Sequence, residues 1–261
     1  MQLKIWEGNI PYYNAQADTP NLMTTYFLDT AELLPCVVVL PGGGYSGRAR
    51  HEAGPIAEFF NTQGFHAVVV EYRVSPNRFP SALADVQRAV RILRANADEW
   101  RIDPTKIVTC GFSAGGHLAA SSVLYSDVYA SEQEADDVDR MPHLPNGAIL
   151  GYPVISVEAE FGHVGSGRNL LGEQYEEKKA DFCLADHVTD GTPTVFLWHT
   201  SDDAGVNVKN SLTFAASLRD HNIPFELHVF PHGPHGIGLA ESYPDAKQWK
   251  TLAADWIRRS F

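Results

Sequence analysis

Cysteine is scarce in this chain. Cys36, Cys110 and Cys183 are the only three in 261 residues. An odd number without metal-type spacing argues against both a disulfide framework and a thiolate metal site. Cys36 and Cys110 fall in apolar, β-branched runs, which reads as structural thiols in a reducing compartment, and a cytoplasmic location is expected. Basic charge is short as well, with 20 Lys and Arg against 32 Asp and Glu and a formal net charge of -12. Such a balance leaves no footprint for nucleic acid or for an anionic membrane, so neither is expected as a partner. No apolar run approaches the ~18 residues of a membrane span. The opening MQLKIWE lacks the apolar core of a signal peptide. Internal repeats and low-complexity tracts are missing too. What remains, 261 residues with 44% hydrophobic content, suits one large α/β core, so a single domain over 1–261 is expected.

In chain order, residues 1–29 alternate short β-like pieces (3–6 and 22–28) with turn signals at Gly8-Asn9 and Thr19-Pro20-Asn21, the pattern of antiparallel edge strands. Residues 36–40 (CVVVL) form a continuous apolar strand. The glycine run 41–47 (PGGGYSG), a helix over 55–62 and a second apolar strand over 67–72 (AVVVEY) follow. Strand, helix and strand with unbroken apolar strands imply a parallel sheet covered on both faces. Residues 80–96 read as an amphipathic helix with Leu83, Val86, Val90 and Leu93 on one stripe. The acidic segment 131–140 reads as a solvated loop, and 147–152 as another core strand. Residues 153–191 are broken and Gly-rich, an excursion above the sheet too short for a domain and too polar for an apolar lid. Strands over 194–198 and 225–230 flank a helix over 208–218, and a helix over 243–259 closes the chain. The fold class that follows is α/β, a doubly wound, mostly parallel sheet with helices on both faces, antiparallel N-terminal edge strands and no large cap domain.

The organising stretch is 106–125, KIVTCGFSAGGHLAASSVLY. Its first half is an apolar β-branched run and its second half is Ala/Leu-rich with helical spacing, so a strand hands over to a helix at Gly111-Phe112-Ser113-Ala114-Gly115. This is G-x-S-x-G. A strand that reverses into a helix within about one turn crowds backbone on backbone, hence the flanking glycines, and leaves the central hydroxyl exposed in a strained conformation. Ser113 is therefore the candidate nucleophile.

A serine hydroxyl is a weak nucleophile and needs a base, which in turn needs an orienting acid. After such an elbow the expected order is Ser, Asp or Glu, then His, each on a loop beyond a strand. The strand 194–198 runs into His199-Thr200-Ser201-Asp202-Asp203, and 225–230 runs into Pro231-His232-Gly233-Pro234-His235. Acid and base thus stand where the fold would place them. Either aspartate could instead cap the helix starting near Asn207. His228, His232 and His235 could also bind zinc, but their run is not in a helical frame. For the oxyanion of an acyl transfer, Ala114 supplies one backbone N–H, and the side-chain-free backbone of Gly43 and Gly44 supplies others.

Gly42, Gly44 and Gly47 also satisfy G-x-G-x-x-G after a strand, with Glu71 ending the next one. A dinucleotide site needs its helix to begin inside the glycines. Here the helix is deferred to about residues 54–55, so no cofactor is expected.

The motifs PGGGY, His51-Glu52, Glu71-Tyr72-Arg73, GFSAGGHLAA, Leu170-Leu171-Gly172, FLWHTSDD and His235-Gly236 resemble those of α/β-hydrolase esterases. The similarity is to the bacterial acetyl-esterase and acetyl-xylan-esterase-like branch and runs from about residue 34 to the C-terminus. The resemblance implies Ser113 as nucleophile, His235 as base and Asp203 as its acid, because the family's acid opens an Asp-x-x-Val-Pro turn, here Asp203-Ala204-Gly205-Val206. Asn207 replaces the usual proline, and Pro234 stands where many relatives carry a small residue. It also implies a serine carboxylesterase for short acyl esters, such as acetyl groups on sugars, with no metal or cofactor. A serine peptidase and a non-catalytic binding protein on the same fold are the rival readings. Peptidases of this fold usually add a propeller or cap, for which there is no spare length, and binding relatives have generally lost a triad member. Glu52 and Arg73 match family positions, with ion pairing or capping as the expected roles, and His117 is expected to pack.

Overall fold

The computed structural model describes residues 1–17, 20–129, 136–158 and 160–261. Thr19 of the expected turn, and 131–135 of the expected acidic loop, lie outside them. The strands are β1 (Gln2–Lys4), β2 (Leu22–Tyr26), β3 (Leu34–Leu40), β4 (His66–Glu71), β5 (Ile102–Phe112), β6 (Gly147–Gly151), β7 (Thr194–Thr200) and β8 (Phe225–Phe230). The helices are α1 (Gly54–Thr62), α2 (Ser81–Ala95), α3 (Ala97–Trp100), α4 (Ala114–Leu124), α5 (Val164–Leu171), α6 (Tyr175–Lys178), α7 (Lys209–Asp220) and α8 (Trp249–Ser260). The strands form one sheet in the order β1-β2-β4-β3-β5-β6-β7-β8. β1 and β2 are antiparallel at one edge, and from β4 to β8 every pairing is parallel.

Side chains alternate across this sheet with period two, and the two faces collect different helices. Cys36, Val38 and Leu40 join the apolar cluster of α2, α4 and α7. Val37 and Val39 join that of α1 and α8, with Phe60, Trp249 and Trp256. With apolar layers on both sides, the central strands have no solvent face, which is why they read as continuous runs. Among the described residues no large cap sits over the sheet. Residues 153–191 form α5, α6 and short 3-10 turns, and their Leu170, Leu171, Tyr175, Phe182 and Leu184 pack into the first cluster. Among the described residues no helix is long and apolar enough to cross a membrane.

Several expectations shift. β7 extends through His199 and Thr200, both buried. The last helix begins at Trp249 rather than 243, because Pro244 disfavours a helical residue before it, and a 3-10 turn (Ala246–Gln248) fills the gap.

The larger difference is in α2. Instead of showing one wet face, it is buried throughout residues 81–93. Its polar stripe is covered: Asp85 accepts from Trp6 Nε1–H (2.7 Å) and pairs with Arg73 (2.9 Å), and Arg88 donates to Ile5 O (3.2 Å). Gln87 donates to Ser126 O (2.9 Å), and Arg91 to Met141 O (2.8 Å). The described part of the acidic loop joins this cover, since Arg88 binds Asp139 (2.6 Å) and Asp136, whose carboxyl it holds down to about 2. Arg73 thus ion-pairs as expected.

Candidate active site

Ser113 sits at the hinge between β5 and α4 with φ 53 and ψ -120, a conformation that costs an L-residue energy. Its carbonyl accepts from Val154 N–H (3.0 Å) and His117 N–H (3.0 Å), and its own N–H donates to Gly151 O (3.0 Å), so the surroundings hold the strain in place. The flanking glycines are obligatory. A Cβ on Gly111 would lie 2.0 Å from Gly115 O, and one on Gly115 would lie 2.1 Å from Leu40 O.

The hydroxyl of Ser113 hydrogen-bonds His235 Nε2 at 2.8 Å, and His235 Nδ1–H donates to Asp203 Oδ2, also at 2.8 Å. Asp203 Oδ1 accepts the N–H groups of Gly205 (2.8 Å) and Val206 (2.9 Å). His199 Nε2–H, bonded to Val206 O at 2.9 Å, lies 3.4 Å from Asp203 Oδ2. Burial would raise the Asp203 carboxyl, but hydrogen bonds from His199, His235 and Val206 outweigh it and hold the group well below the ordinary carboxylate range. An ionised acid behind an imidazole, with a hydroxyl in front, is an arrangement that can move a proton from oxygen to nitrogen.

Asp202, one residue away, points elsewhere: its carboxylate accepts from His232 Nδ1–H and from Gly233 N–H, both at 2.9 Å. It does not cap the helix near Asn207. The Asx turn that precedes α7 is made by Asp203 itself, and Asn207 Oδ1 accepts Lys209 N–H at 2.9 Å. His228 faces Glu226 (3.2 Å), so His228, His232 and His235 have separate partners. Among the described residues no three His, Cys, Asp or Glu side chains gather as metal ligands.

The glycine run closes on the same place. Gly43 and Gly44 adopt φ 136 and 63, which favours glycine, and a Cβ on Gly42 would lie 3.0 Å from Ser113 Cβ. Ala114 opens α4, where N–H groups lack intrahelical acceptors. The helix after the glycine run starts only at Gly54, so the run does not cradle a pyrophosphate in the dinucleotide manner.

Four neighbours escape sequence reasoning. Asn169 on α5 donates to Gly44 O (2.8 Å), and nothing in the spacing of residues 125 apart signals it. Ser166, buried on the same helix, donates to His163 Nδ1 (2.8 Å). Burial, then the proximity of His235, lowers the His163 imidazole below 6.5. Tyr152 lies edge-on to His235 with ring centroids 5.1 Å apart; its place just past β6, at the sheet end where sites gather, was a usable signal. Glu52, expected in an ion pair or cap, accepts Gly42 N–H (2.7 Å) and the Tyr152 hydroxyl (2.6 Å). His117 packs as expected, its Nδ1 hydrogen-bonded to the Tyr45 hydroxyl at 2.9 Å.

The chain is similar to several proteins named as esterases or xylan-degrading hydrolases. The crystal structure of an acetyl ester-xyloside bifunctional hydrolase from Caldicellulosiruptor lactoaceticus superposes with a TM-score of 0.93 and 41% identity, covering 99% of this chain and 96% of that one. Endo-1,4-beta-xylanase B of Butyrivibrio fibrisolvens is 38% identical over 90% of this chain, and the acetylxylan esterase of Xylanibacter ruminicola 31% identical over 85%. The chain spans only 38% and 45% of those two proteins' lengths. The family model of BD-FAE matches residues 26–218, and with it this chain, α/β-hydrolase in fold, belongs to the BD-FAE family.

Proposed function

We propose that the protein is a serine carboxylesterase that removes short acyl groups, acetyl above all, from sugars such as xylo-oligosaccharides. The observation that carries this is the unbroken line from Ser113 Oγ through His235 to Asp203, each step 2.8 Å, at a strained elbow beside a glycine loop. His235 takes the Ser113 proton as the oxygen attacks the ester carbonyl, and Asp203 holds the imidazole and stabilises its cation. The tetrahedral oxyanion is met by backbone N–H groups of Gly43, Gly44 and Ala114. As the intermediate collapses, His235 returns the proton to the leaving alcohol, and a water then repeats the sequence to free the acid and Ser113. Every step uses this chain's own groups. Support for an acetylated sugar comes from the names of the relatives above. Residues 1–261 act as one domain in this reading, supported by the single sheet that runs from Gln2 to Phe230. The unpaired thiols of Cys36 and Cys110 fit a cytoplasmic setting.

Treatment with a fluorophosphonate should add one adduct, on Ser113, and Ser113→Ala should abolish both the adduct and turnover of p-nitrophenyl acetate. In the same assay kcat/KM should be higher for acetate than for palmitate, and acetylated xylo-oligosaccharides should be deacetylated. Peptide turnover in place of ester turnover, or ester binding without turnover, would overturn the reading; untouched acetylated sugars would overturn the sugar part alone.

A further inference from the structure

We infer that Glu52 is a positioning residue that ties the glycine loop after β3 to the histidine loop after β8, an inference that rests on the esterase reading above. Its side chain is 2% exposed, yet both oxygens are engaged, each on a different loop. Oε2 accepts the N–H of Gly42 at 2.7 Å, immediately before the oxyanion donors. Oε1 accepts the hydroxyl proton of Tyr152 at 2.6 Å, and that hydroxyl accepts the N–H of Gly238 at 2.8 Å, just beyond the base. Three hydrogen bonds therefore join Gly42 to Gly238 through the buried interior. The neighbouring residue adds a parallel strut, His51 Nε2–H donating to Gly236 O at 2.8 Å. Both struts leave from one 3-10 turn (Arg50–Glu52).

The loops need such a tie because of their composition. Gly43 and Gly44 on one side, and Gly236 and Gly238 on the other, all hold positive φ without side chains to anchor them. Glycine permits the close approach a substrate needs but leaves the backbone free to wander, so order has to come from outside. The carboxyl group of Glu52 lies directly behind the loop, 2.7 Å from where a Gly42 Cβ would be, with Ser113 Cβ 3.0 Å from the same point. Tyr152 simultaneously rests its ring against His235. Oxyanion donors and base are thereby set at one spacing, which is what a transition state binding both requires.

Tyr152→Phe keeps the ring and removes the link. Misplacing reacting groups by 1 Å costs about 10²-fold, so its kcat on p-nitrophenyl acetate should fall by about 10- to 100-fold with KM within about twofold of wild type. Fluorophosphonate labelling of Ser113 should slow in the same proportion, since it uses the same groups without deacylation. Glu52→Ala should match Tyr152→Phe, and Glu52→Gln, whose amide oxygen can still take the Gly42 N–H, should recover most of the rate. His51 is exposed, so His51→Ala serves if the interior variants do not fold, and its kcat should drop about 3- to 10-fold on the same geometric argument. Wild-type kcat in His51→Ala and in every folded interior variant, with only the melting temperature lowered, would overturn the inference. Ser113-dependent turnover in the wild type separates that failure from failure of the esterase reading, whose loss would take the inference with it.

Discussion

Asp202 and Asp203 leave β7 side by side, and each holds a different histidine. Replacing the orienting acid of a serine enzyme by its amide preserves shape but favours the wrong imidazole tautomer, at a cost on the order of 10⁴ in kcat in a serine protease. Asp203→Asn should therefore collapse kcat, and should also lower the melting temperature at neutral pH, because the ionised carboxyl that its hydrogen bonds favour is lost. Asp202→Asn, which breaks only a surface pair with His232, should keep most of its turnover, and the reverse pattern in a steady-state assay would reassign the acid. Ser113 was legible as a candidate because a strand-to-helix elbow leaves a local mark, whereas the strand-end loop offered both His232 and His235 and the family resemblance chose His235. The choice between the two aspartates came from a family turn, since adjacent residues in a loop carry no geometry in their spelling. Glu52, Tyr152 and Asn169 meet their partners across 10 to 125 residues of chain. Such meetings are set by topology, and no local pattern encodes them.

At the level of elements, the sheet and most helices could be read from apolar runs and period, because central parallel strands and packed helices are specified by hydrophobicity. α2 is where that logic reached its limit. Its stripe of Leu83, Val86, Val90 and Leu93 was visible, but polar residues opposite an apolar stripe look alike whether they face water or a fitted polar cover. Asp85 shows the cover at its tightest, since it is 2% exposed and accepts from Trp6 and from Arg73, itself 1% exposed. Removing one member of a buried pair leaves the other charge uncompensated, at about 3–5 kcal/mol. Asp85→Ala should lower the urea midpoint accordingly while the folded fraction keeps its kcat. An unchanged midpoint would show that the pair adds nothing to the fold.

For the molecule as a whole, burial lowers the imidazoles of His66, His117, His143 and His163 below 6.5, His117 to about 3. On unfolding each would regain its ordinary affinity for protons, so between those limits the unfolded chain binds more protons than the folded one. Stability from these groups is complete above pH 6.5 and declines as pH falls, His117 giving the widest window, from 6.5 to about 3. Asp203, whose folded value is depressed, adds a further loss below 3.8. The melting temperature should accordingly drop from pH 7 to pH 4, and His117→Asn, whose amide oxygen can take the Tyr45 hydroxyl, should flatten that slope. A flat profile in the wild type would refute the assignment. A net charge of -12 also invites charge redesign for handling or immobilisation. On a helical wheel Asp85, Arg88 and Arg91 look like spare surface for it, yet Asp85 is held by Trp6 and Arg73, Arg91 by Asp127 and Met141 in the loop after α4, and Arg88 by both Ile5 of the N-terminal segment and Asp139 of that loop. Resurfacing belongs at exposed positions such as Glu173, Glu177 or Asp220. Recolouring α2 would instead break the cover that keeps the first residues of the chain in place.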